Sequence, residues 1–306
     1  MNTLLRVPAP AKLNLFLHVV GRRADGYHLL QTVFTFVDLY DYLDFTLRAD
    51  GQIQRSGNSL DGLAAEDDLI IRAARLLQKY TKTPLGATIA CEKNIPAGAG
   101  LGGGSSDAAT TLIALNKLWQ TGLNRQQLMA LGLELGADVP VFIFGQSAFA
   151  QGVGEQLQSV TVPNYSYLLI KPKVSVATPT IFKDEALTRD STPVIITDFT
   201  TYDPNTANIN AANGSVALFG ENVLEQIACL HANDIKLLLD HLHEKKWHAR
   251  MSGSGSCVFI AFKEKSLATR QLTKICSIIL LEQPVLHSKL SFWVVNGLNQ
   301  HPLYNW

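Results

Sequence analysis

Cysteine is scarce in this sequence of 306 residues, and its four copies are not clustered. They stand at positions 91, 229, 257 and 276, and no two of them form a Cys-x-x-Cys pair. Structural zinc sites and redox motifs use closely spaced cysteines, and small secreted domains carry many of them. The spacing therefore argues against a metal cluster and against a disulfide framework. It favours a protein of the reducing cytoplasm.

An excess of charge is also missing, since 26 basic residues balance 26 acidic ones. Neither sign forms a long run. Proteins that bind nucleic acids usually carry a basic surface, because much of their affinity comes from neutralising phosphates. The composition therefore predicts no nucleic-acid partner.

Long apolar segments are absent as well, and none approaches the roughly 20 residues that a membrane-spanning helix needs. Residues 13–20 are apolar, but they follow Lys12, include His18 and lack a cleavage pattern, so a signal peptide is not expected. A soluble protein without a membrane partner is expected.

What the sequence does contain is enough apolar material for a substantial core. Hydrophobic residues make up 47% of the chain and charged residues 17%. The length favours two domains, which we divide into residues 1–158 and 159–306. Patterns of spacing predict these further elements: strands at 12–20, 30–37 and 166–171, helices at 69–80, 108–119 and 224–241, a hairpin of 141–144 with 147–151, and an exposed polar loop at 197–215.

A glycine-rich segment, PAGAGLGGGSSD at residues 96–107, lies between a predicted strand and a predicted helix. Glycines let backbone amides approach a ligand without obstruction by side chains. The start of the following helix adds unpaired N–H groups and a positive dipole end. A flexible connector is the alternative, but five glycines followed by two serines favour phosphate binding.

Two other phosphate motifs fit this segment less well. Gly98-x-Gly100-x-x-Gly103 matches the dinucleotide pattern, yet residues 108–133 contain no acidic residue to hold a ribose. The segment also has no lysine, which a Walker A loop requires. A nicotinamide enzyme is therefore disfavoured, and any phosphate-binding lysine must come from elsewhere in the chain.

Asp138 and Lys12 are the candidate chemical groups. Asp138 follows a predicted helix, whose dipole disfavours a negative charge, and it has apolar neighbours. Such a carboxylate either accepts a substrate proton or binds local backbone amides, and the context favours neither. Lys12 is the one basic residue of an apolar strand and shares a strand face with Asn14. It either points outward from an edge strand or pairs with Asp138.

The glycine-rich segment resembles the ATP-binding motif of the superfamily of galactokinase, homoserine kinase, mevalonate kinase and phosphomevalonate kinase (GHMP kinases). Three further stretches are PAPAKLNL at residues 8–15, RADGYH at 23–28 and LGADVP at 135–140. Together they resemble the branch that phosphorylates a diphosphocytidyl-linked methylerythritol in non-mevalonate isoprenoid synthesis. The similarity is dense over residues 8–154 and thin over 190–222 and beyond 264.

The resemblance implies an α+β fold of two domains, an N-terminal ribosomal-protein-like α/β domain and a C-terminal ferredoxin-like domain, with the active site between them. It implies an ATP- and Mg²⁺-dependent enzyme that phosphorylates the carbon-2 hydroxyl of this small-molecule substrate, with Asp138 as general base and Lys12 as its partner. A monomer or weak homodimer is expected.

The same resemblance implies which residues bind the two substrates. Tyr27 and Phe182 would stack on the cytosine, and His28, Asn14 and Thr178 would contact the same substrate. Asp107, at the start of the predicted helix, either interacts favourably with the positive end of the helix dipole or faces a magnesium ion. The ATP-binding residues would be Pro96, Ala97, Gly98, Ala99, Gly100, Leu101, Gly102, Gly103, Gly104, Ser105 and Ser106.

Two other functions remain open at this point. A superfamily kinase for a smaller alcohol would have no use for Tyr27, His28 and Phe182 together. A catalytically silent nucleotide-binding module would not need Lys12 or Asp138.

Overall fold

A long N-terminal hairpin organises the fold. The computed structural model describes residues 2–57, 67–204 and 212–306. Strands β1 (Thr3–Arg22) and β2 (His28–Arg48) pair along almost their whole length through a turn at residues 23–27. They are much longer than the strands predicted at 12–20 and 30–37. The difference arises because their hydrogen bonds continue through the proline-containing start of β1 and through residues 42–48 of β2, where apolar and polar residues alternate.

The remaining strands are β3 (Ile53–Ser56), β4 (Gly86–Glu92), β5 (Ala148–Gln151), β6 (Gln156–Ser159), β7 (Ser166–Pro172), β8 (Ser215–Val216), β9 (Ala249–Met251), β10 (Val258–Phe262) and β11 (Leu290–Leu298). The helices are α1 (Leu69–Thr81), α2 (Gly103–Leu118), α3 (Arg125–Leu135), α4 (Val139–Phe144), α5 (Thr178–Lys183), α6 (Ile196–Thr200), α7 (Val223–His231), α8 (Asn233–Glu244), α9 (Lys265–Glu282) and α10 (Pro284–His287).

In the described part of the chain, these strands join into one eleven-stranded sheet. Its central path runs β3-β4-β2-β11-β7-β10-β8, so β11 connects the two halves by pairing with β2 on one side and β7 on the other. This mixed arrangement confirms the predicted α+β class. The predicted division after residue 158 falls within β6, and its position stays a prediction.

Three buried clusters fill the part of the chain that the structure describes. One packs α1 to α4 against the N-terminal strands, and a second packs α7, α8 and α9 against β7 and β10. The third joins Leu13 and Phe16 of β1 to Tyr167 and Leu169 of β7 and to Phe259 of β10. Because this third cluster takes residues from both halves, the two halves share apolar burial as well as a sheet.

Local signals account well for the helix ends. Asp68 caps α1 by accepting a hydrogen bond from the Ile70 amide, and Asn124 and Gln127 form a capping box at the start of α3. None of the described helices is both long enough and apolar enough to cross a membrane.

Two of the predicted elements are wrong. Residues 141–144 form part of helix α4, between Pro140 in its first turn and Gly145 after its end, and only β5 of the predicted hairpin is a strand. A short apolar run does not distinguish a buried helix from a strand by periodicity alone. The helix predicted at 224–241 is two helices, because Ala232 between α7 and α8 has an extended backbone conformation. The polar loop predicted at 197–215 overlaps α6 at its start, and residues 205–211 of it lie outside the described residues.

His301 provides a test of how this core responds to acid. Its ring is buried, its Nδ1 accepts a hydrogen bond from the Leu303 amide, and it packs edge-on against Phe36 at 5.7 Å. Burial lowers the pKa of His301 to about 3, with a smaller contribution from the Arg125 cation. Folding therefore favours the neutral imidazole, so its contribution is complete above the ordinary histidine pKa of about 6.5 and is lost as the pH falls from there towards about 3.

We expect the free energy of unfolding to fall by about 2 kcal/mol between pH 8 and pH 5 through His301 alone. His301→Asn retains an acceptor for the Leu303 amide but does not titrate. Urea unfolding at both pH values should show the variant less stable at pH 8 and less sensitive to acid. An equal loss in both proteins would show that His301 does not titrate between these pH values.

Candidate active site

A cavity of about 1010 Å³ opens beside the glycine-rich segment. Both predicted catalytic residues and all predicted substrate-binding residues line it, as do all predicted ATP-binding residues except Ser106. The Ser106 side chain is buried, and its hydroxyl has no hydrogen-bond partner among the described residues. The fold therefore gathers into one site residues that stand up to 170 positions apart, Lys12 and Phe182.

The carbonyl groups of residues 98 to 101 hold the glycine-rich segment against β1 and the loop that precedes β10. The Gly98 and Ala99 carbonyls accept hydrogen bonds from the Ser256 and Cys257 amides, at 3.1 Å each. The Gly100 carbonyl accepts from the Ser252 hydroxyl at 3.0 Å, and the Leu101 carbonyl accepts from the Lys12 amide at 2.9 Å. Because the N–H and C=O of a planar trans peptide point in opposite directions, each contact directs the N–H of the same peptide unit away from its partner.

Lys12 is almost fully buried, with 2% of its surface exposed. An outward-pointing lysine on an edge strand is therefore excluded. Bulges between Pro10 and Ala11 and between Asn14 and Leu17 bound this part of β1. Leu13 packs in the core on the opposite face, and the Lys12 ammonium donates a hydrogen bond to the Asn14 side-chain carbonyl. The shared face predicted for Lys12 and Asn14 is confirmed.

Asp138 lies opposite Lys12, with its Oδ2 atom 3.4 Å from the Lys12 Nζ atom. Its side chain is 38% exposed, so a ligand in the cavity can reach it. The predicted dipole environment needs a correction. Helix α3 does end at Leu135, but α4 begins at Val139, so Asp138 caps a helix start, where a negative charge is favoured. No backbone amide of α4 binds its side chain, which leaves the carboxylate for Lys12 and a ligand.

Aromatic residues form another part of the cavity wall. The rings of His28 and Phe182 are stacked, with centroids 5.0 Å apart, whereas Tyr27 is 64% exposed. The Thr178 and Ser254 hydroxyls lie 2.7 Å apart and connect α5 to the loop before β10. The Phe182 ring thus faces His28. The binding of cytosine between Tyr27 and Phe182 stays a prediction.

A buried charged cluster lies under the glycine-rich segment, and the sequence patterns did not indicate it. The Lys93 ammonium donates to a carboxylate oxygen of Asp41 and, at 2.5 Å, to one of Asp107. The other Asp41 oxygen accepts from the Asn94 and Ile95 amides, at 2.6 and 2.8 Å. Burial raises the pKa of Asp107 above its ordinary value, although Lys93 opposes the shift. The cluster connects β2 and α2 to Lys93, the residue that follows β4, close to the start of the glycine-rich segment.

Comparison with known proteins agrees with this geometry. The models of the GHMP kinases N terminal domain and GHMP kinases C terminal domain match residues 68–146 and 210–278. A 4-diphosphocytidyl-2-C-methyl-D-erythritol kinase of Bordetella parapertussis is 51% identical over 99% of both chains. The kinase of the same name from Herminiimonas arsenicoxydans is 50% identical over 99% of this chain and 98% of its own. The chain belongs to the 4-diphosphocytidyl-2-C-methyl-D-erythritol kinase family. It is an ATP-dependent kinase.

Solved structures of this family and of its superfamily have the same fold. The crystal structure of a 4-(cytidine 5'-diphospho)-2C-methyl-D-erythritol kinase has a TM-score of 0.71 and 32% identity, covering 96% of this chain and 98% of its own. A homoserine kinase from Cytophaga hutchinsonii has a TM-score of 0.67 at 15% identity, covering 98% of this chain and 96% of its own. At that identity the second comparison shows the fold alone.

Among the described residues, no group of three or more histidine, cysteine or acidic side chains could hold a metal ion. Asp107, one candidate from the sequence, is buried and paired with Lys93. Mg²⁺ commonly binds through one or two protein oxygens together with substrate phosphates.

Gly102 and Gly122 test the glycine-rich segment as a matched pair, because their backbone φ angles are +73° and +71°. A Cβ atom at Gly102 would lie 2.9 Å from the Phe142 ring and 3.1 Å from Lys12 Cγ, whereas one at Gly122 meets nothing within 4 Å. Both alanine variants carry a left-handed backbone penalty of about 1 kcal/mol.

We expect Gly102→Ala to raise the KM for ATP and to reduce kcat/KM by at least about tenfold, because the segment or Lys12 must move. Gly122→Ala should lose stability only. Steady-state kinetics and thermal melts on both variants separate the two effects. Equal kinetic constants in the two variants would remove Gly102 from the ATP site.

Proposed function

We propose that this kinase transfers the γ-phosphoryl group of ATP to the carbon-2 hydroxyl of 4-diphosphocytidyl-2-C-methyl-D-erythritol. The observation that supports it most is the placement of the Lys12–Asp138 pair, which shares one cavity with the glycine-rich segment and with the Tyr27, His28 and Phe182 rings. A triphosphate on the segment and a cytosine against the rings would bring the reacting groups to this pair. The relatives named above carry this substrate in their names.

In this proposal Asp138 accepts the proton of the attacking hydroxyl. The hydroxyl oxygen forms a bond to the γ-phosphorus, the bond from that phosphorus to the bridging oxygen breaks, and ADP leaves with the bond's electron pair. Lys12 pairs with Asp138 and attracts the negative charge that develops on the transferred group. The Asn14 side-chain carbonyl orients the Lys12 ammonium by accepting its hydrogen bond. The side-chain nitrogen of Asn14 in turn donates a hydrogen bond to the Thr32 hydroxyl at 2.9 Å.

The backbone amides of the glycine-rich segment and the start of α2 would bind the phosphates of ATP. A magnesium ion bound to those phosphates would offset their charge. Cytosine would lie against Phe182 and Tyr27, which give stacking energy, while His28 and Thr178 supply polar contacts. The division after residue 158, a cytoplasmic location, the lack of nucleic-acid partners and a monomer or weak homodimer stay predictions from the sequence.

Substrate identity can be tested by measuring ADP release with the diphosphocytidyl substrate, homoserine, mevalonate and galactose in parallel. We expect turnover with the first only, because the other alcohols leave the aromatic part of the cavity empty. Faster turnover of one of the smaller alcohols would contradict the proposed substrate and retain the kinase class.

The catalytic role of Asp138 is tested by Asp138→Asn, which keeps the size of the side chain and removes its proton acceptance. We expect kcat to fall by roughly 10²–10⁴-fold with little change in ATP affinity. Glu134→Gln is a matched control, because Glu134 is exposed on α3 four residues earlier and the change removes one nearby negative charge. Near wild-type turnover of Asp138→Asn, or an equal loss in the control, would assign Asp138 a structural role.

A further inference from the structure

Arg189 connects the two stacked rings of the cavity. Its Nε atom donates a hydrogen bond to Nε2 of His28 at 3.1 Å. Its terminal nitrogens donate to the carbonyls of Phe182 at 3.2 Å, Asp184 at 2.6 Å and Leu187 at 3.0 Å. The side chain therefore fixes the loop that follows α5 and, through the same planar group, one edge of the His28 ring.

The contact between Arg189 and His28 determines where the imidazole carries its hydrogen. A guanidinium group only donates hydrogen bonds and does not lose its proton in proteins. The Nε2 atom of His28 must therefore be an acceptor, which places the hydrogen of the neutral ring on Nδ1. A protonated ring has no acceptor left, so this contact is incompatible with the imidazolium.

The surroundings of His28 favour the same neutral state. Burial lowers the pKa of His28, and the cations of Arg189 and Arg22 lower it further. The Arg22 side chain is held nearby by a hydrogen bond from its Nε atom to the Gly26 carbonyl at 3.3 Å. At neutral pH the ring is therefore uncharged and presents one donor, Nδ1–H, on the side away from Nε2.

We propose that Arg189 is a specificity-determining residue, because it holds His28 in the Nδ1–H form and so selects a base whose edge offers an acceptor. This inference rests on the proposed function, in which His28 contacts the base. Cytosine has an unprotonated N3 that accepts a hydrogen bond, whereas N3 of uracil carries a hydrogen. The fixed tautomer pairs with the first and opposes the second with another donor.

A purely structural role for Arg189 makes a different prediction. If it only holds the loop that carries Phe182, its loss weakens stacking, and stacking tolerates any base. The kcat/KM values for a cytosine and a uracil substrate then fall by the same factor. If Arg189 sets the tautomer, its loss changes the ratio of the two values.

The kinetic experiment compares the wild type, Arg189→Met, His28→Ala and the double variant on 4-diphosphocytidyl- and 4-diphosphouridyl-methylerythritol. We expect the wild type to prefer cytosine by about 10–100-fold and Arg189→Met to lose most of that preference, because His28 can then change tautomer. In the His28→Ala background, Arg189→Met should leave the ratio unchanged. Arg22→Met is the charge control, because it removes the other cation near His28 and retains the Nε2 hydrogen bond, so its preference should persist.

A spectroscopic measurement makes the test independent of the folding of any variant. ¹⁵N correlation spectra of the His28 ring in the wild-type protein distinguish the two neutral tautomers and the imidazolium. We expect the Nδ1–H form at pH 7.5. The Nε2–H form, a charged ring, or an Arg189→Met variant with an unaltered substrate ratio would each overturn the inference. Failure of the wild type to phosphorylate the diphosphocytidyl substrate would instead contradict the proposed function, and the NMR spectra would still show whether Arg189 holds His28 in the Nδ1–H form.

Discussion

The burial of the Lys12 ammonium is the constraint on which the rest of the site depends. A charged group that is withdrawn from water is costly unless opposite charge and hydrogen-bond acceptors surround it. Asp138 supplies the charge and Asn14 the acceptor, and they come from the start of α4 and from β1. The Lys12 backbone amide binds the glycine-rich segment at Leu101. One residue thus fixes the distance between the phosphate-binding segment and the proposed base.

The C-terminal half completes this arrangement. Asn222 donates through its side-chain amide to the Met251 and Gly253 carbonyls, at 2.8 Å each, and so holds the loop between β9 and β10 against the cavity. The Ser252 hydroxyl of that loop accepts a hydrogen bond from the backbone amide of Asn14 and donates one to the Gly100 carbonyl. The phosphate-binding segment is therefore positioned by contacts from both halves. Its geometry depends on the pairing of β11 with β2 and β7, which joins the two halves in one sheet.

The sequence indicated the chemistry of this site better than its surroundings. The pattern of the glycine-rich segment itself predicted phosphate binding, whereas the roles of Lys12, Asn14 and Asp138 were implied by the family resemblance. Apart from Ser106, all the predicted site residues line the cavity. The sequence patterns did not indicate the contact of Arg189 with His28, which lies 161 positions away, or the Asp41–Lys93–Asp107 cluster, whose ion pairs join residues 52 and 14 positions apart. Only the folded chain brings these groups together. Strand β11 was missed for the same reason, since its partners belong to distant strands. The α4 helix was mistaken for a strand because six apolar residues carry too little periodicity.

The central claim is that Lys12 and Asp138 act as one unit in phosphoryl transfer. A double-mutant cycle on kcat with Lys12→Met, Asp138→Asn and the double variant measures this directly. If the two groups act together, removing the second after the first costs little, and the double variant should retain about the activity of the more impaired single variant. Losses that multiply across the two substitutions would show that the groups act independently, and would contradict the account of Lys12 as the partner of the base.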